Sequence, residues 1–191
     1  MSQEFEHIVI LLGFIFGLAL THLLTSINDL IQARDRVRFS WLHTLCMVLA
    51  LVFFIINWLA LWDMRRVPHW RVVDVLSLLL STANQYFVCS LVAMRVPEEG
   101  DVDMAAFAER QTTPFLISVA ALHIMAMLGN YQFRNAYPDA APWWEQDLVI
   151  LPMFLLTLAA ICLKPQWFTM AVVSLQIIIF SAFTALFTLQ G

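Results

Sequence analysis

Two histidines stand where an ionisable side chain is costly, His22 within Leu20-Thr21-His22-Leu23-Leu24 and His123 within Ala121-Leu122-His123-Ile124. Imidazole titrates near neutral pH, offers one donor and one acceptor, and ligates haem iron, so either ring has chemistry to supply. A hydrogen-bonded packing histidine is the plainer reading of each. Other polar residues accompany them at helical spacing: Ser26 and Asp29 follow His22 by four and seven residues, and Asn130 follows His123 by seven. Asn57 lies in the middle of an apolar run, close to the face of His43. Asp74, Ser77, Ser81 and the pair Asn84-Gln85 form a further stripe, and Ser174, Ser181, Thr184 and Thr188 another. One such stripe means little, because Ser and Thr also bond their own helix backbone. Taken together, His22, Ser26, Asp29, Asn57, Ser77, Ser81, His123, Asn130, Ser174, Ser181 and Thr184 point to a shared polar interior. It is either a narrow hydrated pathway or a dry network of interhelical hydrogen bonds.

The elements that carry these residues are six apolar stretches, at 8–28, 41–62, 73–94, 114–130, 148–163 and 168–189. Runs of about 17–25 apolar residues span a bilayer, and in hydrocarbon only self-satisfied backbone is stable. The chain is 61% hydrophobic and 13% charged, with a mean hydropathy of +0.79. The expected fold is an all-α polytopic bundle of six spans forming a single transmembrane domain over residues 1–191. Thr113-Pro114 reads as the capped start of the fourth span. The fifth carries Asp147 at its entrance and Pro152 inside, which leaves five spans plus one re-entrant or interfacial segment as the alternative. The first residues contain no Lys or Arg, so a cleavable signal is not expected and the first span stays in the mature protein.

Absent motifs narrow the chemistry. The chain has no GxSxG, HExxH, Walker or Gly-rich nucleotide sequence and no intramembrane-protease pattern. The soluble links are too short for a separate active site, so any catalysis would have to use the intramembrane histidines. Cys46, Cys89 and Cys162 each fall inside a span without CxxC spacing, which predicts neither disulfide nor metal site. The net charge of −4 comes with no basic patch for nucleic acid.

Gly13, Gly17, Thr21 and Thr25 recur every fourth residue, a small-residue ladder suited to close helix packing. Trp41, Trp62, Trp70, Trp143, Trp144 and Trp167 fall at span ends, as an interfacial aromatic belt requires. A faint duplication relates 8–94 to 114–189 across an acidic link at 95–113. Pro68-His69-Trp70 with Ser77 matches Pro165-Gln166-Trp167 with Ser174 at a register of 97, and His22 with Asp29 matches His123 with Asn130 at 101. Three spans per repeat would make the halves inverted; chance recurrence of an interfacial Pro-x-Trp anchor is the alternative. Acidic residues from Glu98 to Asp103 followed by Met104-Ala-Ala-Phe107 read as a short surface helix or a solvated loop. Six basic residues on one side (Arg34, Arg36, Arg38, Arg95, Arg110, Lys164) against four on the other (Arg65, Arg66, Arg71, Arg134) place both termini outside the cytoplasm.

The string Gly13-Phe-Ile-Phe-Gly17-Leu-Ala-Leu-Thr21-His22-Leu-Leu, with the Arg-rich turn and Trp41-Leu-His43 after it, resembles a pattern in small polytopic membrane proteins of bacteria. The resemblance covers about the first 70 residues. It implies a bacterial inner-membrane location and carries over no activity and no site residue.

Three functions fit these features. The first is a small channel or transporter-like protein for a small solute, ion or proton, working as a homo-oligomer without a cofactor. The second is a non-catalytic subunit or assembly partner of a larger membrane complex. The third is a redox protein holding haem b between His22 and His123.

Overall fold

Each helix begins or ends where a local group satisfies the orphan backbone donors or acceptors that helix termini leave. In the computed structural model, which describes residues 3–65, 67, 69–134 and 142–185, α1 spans Gln3–Gln32 and passes through a short 3-10 turn into β1, Val37–Arg38. Ser40 then caps α2, Trp41–Met64, its hydroxyl accepting from the His43 amide. The next helix, α3, covers Val72–Val92; the Arg71 amide that precedes it donates to the Asp74 carboxylate at 2.9 Å. After β2, Val102–Asp103, come α4 over Met104–Gln132, α5 over Trp143–Leu163 and α6 over Gln166–Ala185. Lys164, in left-handed conformation at φ 61°, closes α5 and turns the chain into α6.

All six helices are long and apolar enough to cross a bilayer, so the protein is a multi-pass membrane protein in contact with lipid. Pro152 sits inside a continuous α5, and the sixth span is complete without a re-entrant segment. Only 17–33% of each span is buried within the chain, so most helix surface faces outward. Ile10, Phe14, Leu76, Leu80 and Ile178 lie on that outer surface, as do Trp41, Trp62, Trp144 and Trp167 near helix ends. Trp70 instead turns inward, stacked on Phe5 at 6.0 Å. Arg66, Pro68, Thr188 and the side chain of Trp143 lie outside the described residues.

Helix α2 is the hub. It packs against α1, α3, α4 and α6, while α3 lies between α1 and α4, and α5 closes the bundle against α4 and α6. Leu49, Ala50 and Phe53 of α2 meet Val88 and Cys89 of α3, Phe115 and Val119 of α4, and Val173 and Phe180 of α6 in one core. In lipid such cores cohere through van der Waals packing and interhelical hydrogen bonds, since hydrocarbon is as apolar as leucine. The two halves are packed differently, α1 lying along α3 but α4 along α5, and the duplication stays a reading of the sequence.

One boundary differs from expectation. The fourth helix begins at Met104, ten residues before Pro114, and no separate surface helix exists at 104–108. Asp103 is the stronger cap: its carboxylate accepts from the Ala105 and Ala106 amides at 2.9 and 3.0 Å. Pro114 costs the bond to the Arg110 carbonyl but does not end a helix already nucleated by three alanines. At about 1.5 Å per residue, these 29 residues exceed the roughly 30 Å of hydrocarbon. The excess is taken up by tilt or by turns that extend beyond it.

The acidic link is strapped to the α1–α2 turn. Val37 and Arg38 pair in parallel with Val102 and Asp103. Arg36 donates to the Gly100 and Pro97 carbonyls at 2.7 and 2.6 Å, and Arg38 bridges Asp103 at 3.1 Å. The Ala106 amide first, with Arg38 and Ala105, holds the Asp103 carboxyl below the usual carboxylate range. Its support of the strap is thus present above the unfolded value and is lost as pH falls through the depressed one. Hydrogen exchange at the Val102–Ala106 amides should accelerate below that pH, and Asp103→Ala should show the fast exchange already at pH 7.

Candidate functional site

A polar side chain inside a span must find its partner within the protein, so the partners show what each polar residue is for. On α1, Ser26 is buried and donates to the Met94 carbonyl at 3.0 Å, tying α1 to the chain beyond α3. His22 faces outward, sharing a 3.1 Å hydrogen bond with the Tyr86 hydroxyl at the α1–α3 edge. Asp29 is half-buried near the end of α1. The ladder of Gly13, Gly17, Thr21 and Thr25 also faces outward, and a Cβ on either glycine would meet nothing within 4 Å. No described helix of this chain packs upon it.

On α3 the stripe is split between two tasks. Ser77 bonds the Asp74 carbonyl of its own helix, Ser81 is half-buried, and Asn84 reaches across to the Ser118 carbonyl of α4 at 2.9 Å. Asn57 of α2 donates to Gln85 at 3.1 Å, and Gln85 in turn donates toward the Ala50 carbonyl at 3.5 Å and Cys89 sulfur at 3.4 Å. Asn130 does not join His123; it donates to Asp147 of α5 at 2.8 Å. On α6, Ser174 is half-buried, Ser181 is exposed and Thr184 bonds the Phe180 carbonyl one turn back.

What the bundle gathers is a belt near mid-depth. Gln85 of α3, His123 of α4, Thr157 of α5 and Gln176 of α6 are each 0–2% exposed. Gln85 reaches the Ala50 carbonyl and His123 packs on Phe53, both on α2. Gln176 donates to the Thr157 hydroxyl at 2.9 Å, and that hydroxyl donates to the Met153 carbonyl at 2.8 Å. Among the described residues, the Gln176 carbonyl oxygen and both ring nitrogens of His123 have no hydrogen-bond partner. The Val119 carbonyl, one turn earlier, lies near the His123 ring without meeting hydrogen-bond geometry. Phe53 and Phe180 close over that ring at 5.6 and 5.9 Å and face each other at 5.1 Å. A buried polar atom without a partner costs about 1–3 kcal/mol, so His123 and Gln176 are positions where this bundle forgoes stability.

The belt's outer rim on one side is charged. Asp74, buried at the start of α3, accepts from Arg71 at 2.9 and 3.1 Å and from Gln132 at the end of α4. The bond to Asp74 and its charge raise the Arg71 pKa further above its ordinary value. Among the described residues, charged side chains within the helices lie within two turns of a helix end. No group of three or more His, Cys, Asp or Glu is gathered among them as a metal site. His22 and His123, the haem pair expected from sequence, lie in different surroundings, one on the outer α1–α3 edge and one among α2, α4 and α6.

Gln176, Thr157, Gln132 and Tyr86 were not singled out by spacing. Gln176 had a usable signal, since a glutamine mid-span cannot satisfy both ends of its amide within its own helix and must face inward. The serines and threonines chosen on α6 carry no such obligation. The chain matches no family model, no curated protein and no solved structure. Fold and site therefore rest on this geometry.

The Asn57–Gln85 pair has a measurable coupling. Interhelical hydrogen bonds in membrane proteins average about 0.6 kcal/mol and reach about 1.7. Because Gln85 is fully buried, the pair should fall in the upper half of that range. A double-mutant cycle with Asn57→Leu and Gln85→Leu, followed by unfolding in bicelles, measures it; additive single effects would contradict the assignment.

Proposed function

We propose that the protein is a small channel or transporter-like protein, seen closed, that passes a small neutral polar solute through the centre of its bundle. The observation that carries this reading is the mid-depth belt with unpartnered donor and acceptor atoms on His123 and Gln176. Intramembrane polar groups are costly and mark pathways or partners, and the His123 ring and the Gln176 carbonyl oxygen have no hydrogen-bond partner among the described residues. A neutral solute is favoured over an ion because charged side chains stay within two turns of the helix ends. Neutral imidazole and a glutamine carbonyl offer one donor and two acceptors to a passing molecule. Phe53 and Phe180 act as the plug, and Asn57, with Gln85, sets the α2–α3 wall. The haem reading draws no support from the separate surroundings of His22 and His123; a Soret band lost in either His→Ala variant would restore it.

The proposal extends to setting. The sequence resemblance favours a bacterial inner membrane, and the excess of Arg and Lys on the side of the acidic link favours both termini outside the cytoplasm. Homo-oligomers would leave each bundle its own pathway. One observation favours the alternative of a subunit in a larger complex: the outward ladder of α1 lacks a partner helix among the described residues. Fixed stoichiometry with a different membrane protein after gentle solubilisation would support that alternative; a homogeneous homo-oligomer would support the channel.

Stopped-flow swelling of proteoliposomes with ammonia, urea or glycerol tests the transport reading. An aromatic pair contributes about 0.5–1.5 kcal/mol, so Phe180→Ala should raise permeability about two- to tenfold. His123→Ala and Gln176→Leu should lower it. Permeability equal to empty liposomes for every solute would overturn the reading.

A further inference from the structure

A second buried histidine with an unused nitrogen lies away from the belt, under the strapped link. His43, in the first turn of α2, is 2% exposed, and its Nε2 lies 2.9 Å from the Val92 carbonyl. A carbonyl only accepts, so Nε2 carries the proton and Nδ1 the lone pair. Nδ1 has no partner. The ring borders a cavity of about 10 Å³ that Cys46, Phe107, Thr112 and Phe115 also line. Cys46 is a buried free thiol. It stands three residues beyond His43, a spacing that brings side chains together on one helix face, with Cβ atoms about 5–6 Å apart.

We propose that this cavity is a two-coordinate site for a soft monovalent cation, Cu(I), held between His43 Nδ1 and Cys46 Sγ. Thiolate suits Cu(I) and zinc, and imidazole suits copper and zinc, so ligand number and charge decide between them. The bond from Nε2 to a backbone carbonyl is the outer-shell contact that orients a ligating histidine. No third His, Cys, Asp or Glu joins them among the described residues, so a tetrahedral zinc set is not supplied. Charge balance favours a monovalent ion. The Cys46 S–H bond breaks, its proton passes to the solvent, and an S–Cu bond forms without electron transfer. The site is neutral before and after, which spares the large cost of burying a net charge. Phe107, 5.0 Å from the His43 ring, and Phe115 screen it from water. The cavity is of the order of one water or one small ion, too small for a chelated metal. Cys89 receives a hydrogen bond from Gln85, and Cys162 is exposed, so neither thiol has the same surroundings.

The test uses the full chain in nanodiscs, titrated with Cu(I) under reductant against a chromophoric chelator, with Ag(I) as a redox-inert probe. The expected result is one ion per chain, one proton released, and an X-ray absorption spectrum showing one sulfur and one nitrogen neighbour. Cys46→Ser and His43→Gln should each weaken binding about tenfold or more, while Cys89→Ser and Cys162→Ser leave it unchanged. Glutamine keeps an N–H for the Val92 carbonyl, and gel filtration confirms that the variant folds. Binding unaffected by Cys46→Ser, binding lost only with Cys162→Ser, or no binding at all overturns the proposal; in the last case the cavity holds water alone. None of these outcomes depends on whether the protein transports a solute.

Discussion

Hydrocarbon offers no hydrogen bonds, and that single constraint orders everything else in this bundle. Backbone groups are satisfied by folding into six helices, which is why the chain has almost no other regular structure. Polar side chains are satisfied in two ways. Thr21, Thr82, Thr157 and Thr184 return to their own helix four residues back. Ser26, Asn57, Asn84 and Asn130 cross to another segment and so define which segments are neighbours. His123 and the Gln176 carbonyl are satisfied in neither way, and a role beyond packing is assigned to them for that reason.

The hub position of α2 follows from the same physics. A helix touching four others must present small or well-fitting groups on nearly every side. Ala50 leaves room for Gln85 to reach its carbonyl, while Phe53 fills the space between His123 and Phe180. Charged and aromatic groups then seal the two ends. Arg71, Asp74 and Gln132 join α3 to α4 on one side. On the other, Arg36, Arg38 and Asp103 hold the link over His43.

Length and hydropathy made six spans legible, and their boundaries match within a few residues except at α4. There a threonine–proline pair looked like a beginning, and Asp103 with the alanines after it outweighed that signal. The site was less legible. Asn57 and His123 were read as interior residues and are partly or wholly buried, whereas His22 and Ser181, chosen by the same spacing argument, face outward. Periodicity states which residues share a face, but not which face meets another helix when lipid and protein interior are equally apolar.

The amino-acid sequence by itself determined that this is a helical membrane protein, because a span's length and apolarity are properties of contiguous residues. Only the tertiary structure decided that α2 is central, that Gln176 rather than Ser181 meets the interior, and that His43 and Cys46 line one cavity with Nδ1 unpartnered among the described residues. Those facts depend on how helices far apart in the chain rotate against one another. In a bilayer that choice is made by shape and by a few hydrogen bonds, neither of which a one-dimensional pattern records.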